Sequence, residues 1–182
     1  MMKTNHKPIS KFLSLILRHN PAKIGLQLDD NGWADVTELL SKSKNHSPNL
    51  DIDLLKEIVQ NNDKKRFAFN DDQSKIRANQ GHSVNINLGY IPKQPPEFLY
   101  HGTVAKFIDA IKEKGILKMS RHHVHLSQDR ETALKVGSRR GKPIVLTLRS
   151  GAMHTNGVEF FQSDNGVWLT DHVLPEYIEF KN

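Results

Sequence analysis

The chain has 182 residues and no cysteine, and it carries 26 Lys and Arg against 20 Asp and Glu, a formal charge of +6 at pH 7. That length allows one domain or two small ones, and the missing cysteines exclude disulfides and thiolate chemistry. No apolar run approaches the roughly 20 residues that span a bilayer. The start, Met-Met-Lys-Thr-Asn-His-Lys, lacks the apolar stretch of a secretory leader, so a cytoplasmic protein is expected. The positive excess is divided between the two halves. It suits a polyanionic partner, or serves only as solubility charge.

Ile9, Phe12, Leu13, Ile16 and Leu17 recur at helical spacing and predict a helix over 10–19, with Ser10 as its N-cap. Pro21 ends it, which leaves Arg18 and His19 at the C-terminal end. Basic residues there are a charged cap favoured by the helix dipole, or a displayed anion-binding pair. Asp30-Asn31-Gly32-Trp33 is a turn signal. Asp35 with Glu38 three residues later starts a second helix, and a polar loop follows over 41–49. A third helix over 53–59 is capped by Asp51 or Asp53. Two strands, 65–69 and 74–78, flank the turn residues Asn70-Asp71-Asp72 and form a hairpin opened by Arg66. Three helices and a hairpin suggest a winged-helix-like lobe over 1–90. A strand-like run over 84–88 closes it. Pro92-Lys93-Gln94-Pro95-Pro96 then marks a linker over 91–97.

The second half, 98–182, is rich in strand signals, which makes the chain α+β. Residues 98–103 predict a strand ending in a turn, with a helix over 104–114 capped by Thr103. His101-Gly102-Thr103 before a helix start suits an anion, and Gly102 would let a ligand approach the backbone. An ordinary capped helix accounts for it equally. A short helix over 129–136 leads into the basic, glycine-flanked loop Gly137-Ser138-Arg139-Arg140-Gly141-Lys142-Pro143, a solvated turn or a phosphate contact. Strands are predicted over 144–148, 158–161, 167–169 and 177–180, with Asp164-Asn165-Gly166 as a tight turn.

Between them lies Ser120-Arg121-His122-His123-Val124-His125-Leu126-Ser127. Its period-two alternation predicts a strand with Arg121, His123 and His125 on one face. A fixed cation beside two imidazoles suits an anionic ligand. Packed imidazoles or a metal site remain open, though no acidic residue falls inside the run and no cysteine exists to complete a usual zinc set.

Taken in order, several stretches resemble the NAD-dependent RNA 2'-phosphotransferases, which remove a 2'-phosphate left at a splice junction. They are Leu15-Ile16-Leu17-Arg18-His19, Arg66, Ile76 to Ser83, Tyr100-His101-Gly102-Thr103, Arg121 to Leu126, and Asn165 to Leu169. The resemblance covers nearly the whole chain and implies an ADP-ribosyltransferase-like second lobe. It also implies a two-step reaction. The 2'-phosphate of a tRNA-like RNA attacks the nicotinamide ribose of NAD and expels nicotinamide. The ribose 2''-hydroxyl then attacks phosphorus, releasing 2'-hydroxyl RNA and ADP-ribose 1'',2''-cyclic phosphate.

On that resemblance Arg18, His19, Arg66 and Arg121 carry the chemistry, with guanidinium forks matched to a phosphate near two charges. His101, Gly102, Thr103, His125, Ser127, Ser138 and Arg139 would hold NAD. Both lobes are expected to serve one phosphate, with no metal, in a monomer. Val167 occupies a place where protein-modifying relatives carry Glu, which argues against a protein acceptor. Two alternatives stay open. One is an ADP-ribosyltransferase that caps phosphorylated nucleic-acid ends, the other a non-catalytic winged-helix RNA-binding protein.

Overall fold

The computed structural model describes residues 6–62 and 65–180, in two units that meet in sequence between Gly89 and Tyr90. Residues 1–5, on which the expectation about a secretory leader falls, lie outside the described residues. No helix among the described residues is long and apolar enough to cross a membrane.

The first unit begins with α1 (Lys7–Arg18), whose apolar face buries Leu13, Ile16 and Leu17. It starts before the predicted cap Ser10. Pro8 sits in the first turn, where its fixed φ suits a helix and its missing N–H has no partner to lose. Ser10 is inside, its N–H bonded to the His6 carbonyl at 2.9 Å. Pro21 opens a 3-10 turn instead of extending the helix, and Asn20 caps that turn by accepting from the Lys23 N–H at 3.1 Å.

β1 (Ala34–Asp35) leads into α2 (Val36–Ser43). Asp35 accepts from the Glu38 N–H at 2.8 Å, as predicted. Glu38 does not bond back to the cap. Its carboxylate accepts from the Gln27 N–H and from Lys42. The helix takes in residues 41–43 of the expected loop. α3 (Ile52–Gln60) is capped by Asp51, which accepts from the Leu54 N–H at 2.8 Å.

β2 (Phe67–Phe69) and β3 (Lys75–Ala78) form the predicted antiparallel hairpin. β1 adds to its other edge, a pairing that a two-residue strand cannot announce by alternation. Leu13, Ile16, Leu17, Leu39, Leu55 and Ile76 are wholly excluded from solvent at the centre. Each stabilises the unit by roughly 2 kcal/mol relative to exposure. The strand expected over 84–88 does not form. That stretch closes the end of α1 instead, with the Ser83 and Val84 N–H groups donating to the Arg18 carbonyl at 2.9 and 3.4 Å.

In chain order, the second unit comprises β4 (Leu99–Val104), α4 (Ile108–Lys114), β5 (Ile116–Leu117) and β6 (Val124–Leu126). These are followed by α5 (Arg130–Gly137), β7 (Pro143–Leu148), α6 (Ser150–Thr155) and β8 (Phe161–Gln162). β9 (Trp168–Thr170), β10 (His172–Val173) and β11 (Ile178–Glu179) complete it. β4 pairs antiparallel with β7 from Leu99 opposite Leu148 to Val104 opposite Pro143, and β11 flanks β7. β6, β9 and β8 form a second three-stranded sheet, and β5 pairs with β10. Tyr100 and Ser127 exchange two backbone hydrogen bonds, 2.9 and 2.8 Å, which join β4 to the end of β6. Leu99, Leu126, Leu148, Met153 and Phe160 fill this unit's core.

The helix expected over 104–114 is shorter than predicted, and Thr103 does not cap it. The ladder with β7 carries the strand through Val104, a 3-10 turn covers Ala105–Phe107, and α4 begins at Ile108 without a side-chain cap. His101-Gly102-Thr103 is therefore strand, not the approach to a helix start. The helix expected over 129–136 forms as α5, with Asp129 as its N-cap, accepting from the Thr132 N–H at 2.7 Å. The strand expected over 158–161 is confined to Phe161–Gln162, which hairpins to β9 around Gly166 at φ +80°. Many small antiparallel sheets with interspersed helices make the protein α+β.

Candidate functional site

In the first unit, Arg18 is the last residue of α1 and His19 its C-cap. Arg66 directly precedes β2. Arg18 Nη2 donates to the Arg66 carbonyl at 3.4 Å, and its guanidinium carbon lies 5.9 Å from the centre of the Phe67 ring. Arg66 Nη1 donates to Asn62 Oδ1 at 3.1 Å. His19 Nδ1 stands 3.0 Å from Ser83 Oγ. Asn79 steadies the entry to β2. Its N–H donates to the Arg66 carbonyl at 2.9 Å, and its side-chain amide donates to the Lys65 carbonyl at 2.7 Å. The neighbours Arg18 and His19 thus come together with Arg66, 48 residues from Arg18, at one end of α1. His19 and Arg66 line a common groove.

In the second unit, Arg121 and His125 meet as predicted, Arg121 Nη1 donating to His125 Nδ1 at 3.1 Å. His123 lies elsewhere. It precedes β6 and packs edge-on against Phe161 at 5.5 Å and Tyr90 at 6.1 Å between ring centres. His101 Nδ1 donates to the His125 carbonyl at 3.2 Å. Burial pushes the His101 imidazole below its ordinary value, and the Arg140 and Arg121 charges push it the same way. A neutral ring that donates from Nδ1 has Nε2 as its acceptor.

Burial also lowers the Arg121 guanidinium from its ordinary value, and Arg140 and Arg139 add like charge. It remains a cation, because no guanidinium loses its proton in a protein. The charges acting on His101 and Arg121 are all positive. Such a set can bind an anion with fixed forks beside neutral imidazoles. Arg140 was not singled out from the sequence. The glycine-flanked Arg-Arg pair signalled the loop, but only folding shows that this arginine acts on both His101 and Arg121.

The remaining residues take other places. Gly102 does give a close approach, but α5 uses it: a methyl there would stand 1.8 Å from the Ala133 carbonyl oxygen and 2.8 Å from the Gly137 nitrogen. Thr103 is buried in β4. The Ser127 backbone binds Tyr100 beside His101. Ser138 Oγ donates to the Lys135 carbonyl at 3.0 Å, closing α5, and Arg139 stays exposed. Among the described residues, no group of three or more His, Asp or Glu side chains could hold a metal ion.

Comparison with known proteins gives one consistent answer. The profile described as "RNA 2'-phosphotransferase, Tpt1 / KptA family" matches residues 4–172. A protein of Flavobacterium johnsoniae named "Probable RNA 2'-phosphotransferase" is 61% identical over 176 residues, 97% of each chain. One of Trichormus variabilis with the same name is 52% identical over 174 residues, 96% of each. One of Escherichia coli, also so named, is 46% identical over 184 residues, 99% of this chain and 100% of its own. With the motifs in order and the basic clusters in place, this chain belongs to the RNA 2'-phosphotransferase family.

Proposed function

We propose that the protein removes an internal 2'-phosphate from RNA by transferring it to NAD. The products are 2'-hydroxyl RNA, nicotinamide and ADP-ribose 1'',2''-cyclic phosphate. The observation that carries this is the gathering of Arg18, His19 and Arg66 at one end of α1, in a chain that matches the family over nearly its full length. NAD supplies an electrophilic ribose carbon, with nicotinamide as leaving group. The donor set of the second unit suits it. Arg139 and Arg140 are forks for pyrophosphate oxygens, and the neutral His101 offers an acceptor nitrogen to a ribose hydroxyl.

Within this reaction Arg18 and Arg66 grip the RNA phosphate and His19 adds a donor. Arg121 stabilises negative charge that grows on the phosphoryl oxygens in the second step. His125 positions Arg121 by accepting its hydrogen bond. The first unit, three helices and a hairpin, serves as a winged-helix-type platform for RNA. The second works as an ADP-ribosyltransferase-like lobe.

The test is incubation with a 2'-phosphorylated oligonucleotide, with and without NAD. NAD-dependent appearance of 2'-hydroxyl RNA and the cyclic phosphate is the expected result. Stable ADP-ribosylated RNA would indicate a capping enzyme. Binding that weakens with salt, without turnover or preference for the 2'-phosphate, would indicate a plain RNA-binding protein.

A further inference from the structure

A groove of about 520 Å³ crosses the first unit between α1 and the end of α3. His19 and Arg66 stand in it, and so do Lys7, Ser10, Lys11 and Ser14 from α1. Lys7 and Lys11 are four residues apart, as are Ser10 and Ser14, so each pair lies on one face of the helix. Lys7 to His19 spans twelve steps, roughly 18 Å along the helix axis. Several stacked nucleotides at about 3.4 Å each cover that length. A single phosphate occupies only one end.

Among the described residues the charged lining has one sign. It carries Lys7, Lys11 and Arg66 with His6 and His19, and no described Asp or Glu. His6 is held by Glu57, with 3.0 Å between Nε2 and Oε1, and that carboxylate is not part of the lining. Asn61, Asn62 and the two serines add uncharged polar groups. Cations spaced along a polar trough match a single-stranded polyanion better than they match one small ligand.

We propose that this groove seats the RNA strand flanking the 2'-phosphate, with Lys7 and Lys11 against backbone phosphates beyond the group held at His19 and Arg66. Resting on the function proposed above, it makes Lys7 and Lys11 determinants of substrate length. They are exposed on one side of α1, whose buried side carries the core, so neutralising them leaves the fold intact.

The experiment uses the full chain and Lys7→Gln, Lys11→Gln and the double variant. Two substrates are compared, a 2'-phosphorylated dinucleotide and a longer oligonucleotide with the 2'-phosphate at its centre. In the double variant the KM for the longer RNA rises roughly tenfold more than the KM for the dinucleotide. The slope of log affinity against log salt, measured with the longer RNA, falls by about 0.7 for each lysine removed. Equal losses on both substrates, or an unchanged salt slope, would overturn the assignment. If the wild-type chain turns over neither RNA, the proposed reaction fails. The salt slope for binding unmodified RNA of the same length still decides the groove.

Discussion

Arg121 Nη1 lies 3.1 Å from His125 Nδ1. A guanidinium has only donors, so the ring nitrogen accepts and the His125 proton sits on Nε2. The carbonyl of the same His125 takes the ring N–H of His101 at 3.2 Å. One residue of β6 therefore orients a cation through its side chain and a neutral imidazole through its backbone.

Removing that cation separates binding from chemistry. Arg121→Ala is expected to lower turnover of 2'-phosphorylated RNA by about 10²–10³, the usual loss for one donor to a growing oxyanion. RNA binding persists, because Arg18, His19 and Arg66 are untouched, and ADP-ribosylated RNA accumulates when the second step is the one slowed. Turnover at the wild-type rate would remove Arg121 from the mechanism.

Acid should destabilise the second unit through His101. Its folded pKa lies below the ordinary 6.5, chiefly because of burial. Below that ordinary value the unfolded chain binds more protons than the folded one, so unfolding is favoured as pH falls. Its contribution is complete above 6.5 and is lost toward the depressed folded value, by at most about 1.4 kcal/mol per pH unit for each such histidine. His123, also lowered mainly by burial, acts in the same direction. Tm measured from about pH 7 to pH 5 should fall, and fall less steeply in His101→Gln. Parallel profiles for the two proteins would rule out His101 as a source.

Gly102→Ala is expected to act on folding before it acts on any ligand. The added methyl meets backbone atoms of α5, which have no flexible end to swing aside. Overpacking of that kind costs about 3 kcal/mol or more. Thermal unfolding without NAD should show the loss. A variant as stable as wild type would contradict the close packing of α5 on β4.

Asp51→Ala should cost about 1 kcal/mol, the usual effect of losing an N-cap acceptor. Chemical denaturation reads this directly. An unchanged midpoint would mean that water replaces the carboxylate at the Leu54 N–H.

Local rules carry far in this chain. Period, cap and stop signals locate α2, α3, α5 and the β2–β3 hairpin from neighbouring residues alone, because each needs only its own hydrogen bonds and one apolar face. They fail where distant pairing competes. Thr103 reads as a cap until β7 extends β4 past it. Ser10 reads as a start until Pro8 moves the start back by a turn. Residues 84–88 alternate like a strand, but Val84 and the preceding Ser83 bond the end of α1 instead.

By itself the sequence determined the α+β class, the residue types suited to phosphate and, through ordered motifs, the family. Only tertiary structure decided that Arg18 and Arg66 touch, that Arg140 adds its charge to Arg121, and that Gly102 serves α5. Spacing along the chain reports which groups share one element. Bringing groups together across some fifty residues depends on which buried faces fit, and that is settled by the packing of whole elements.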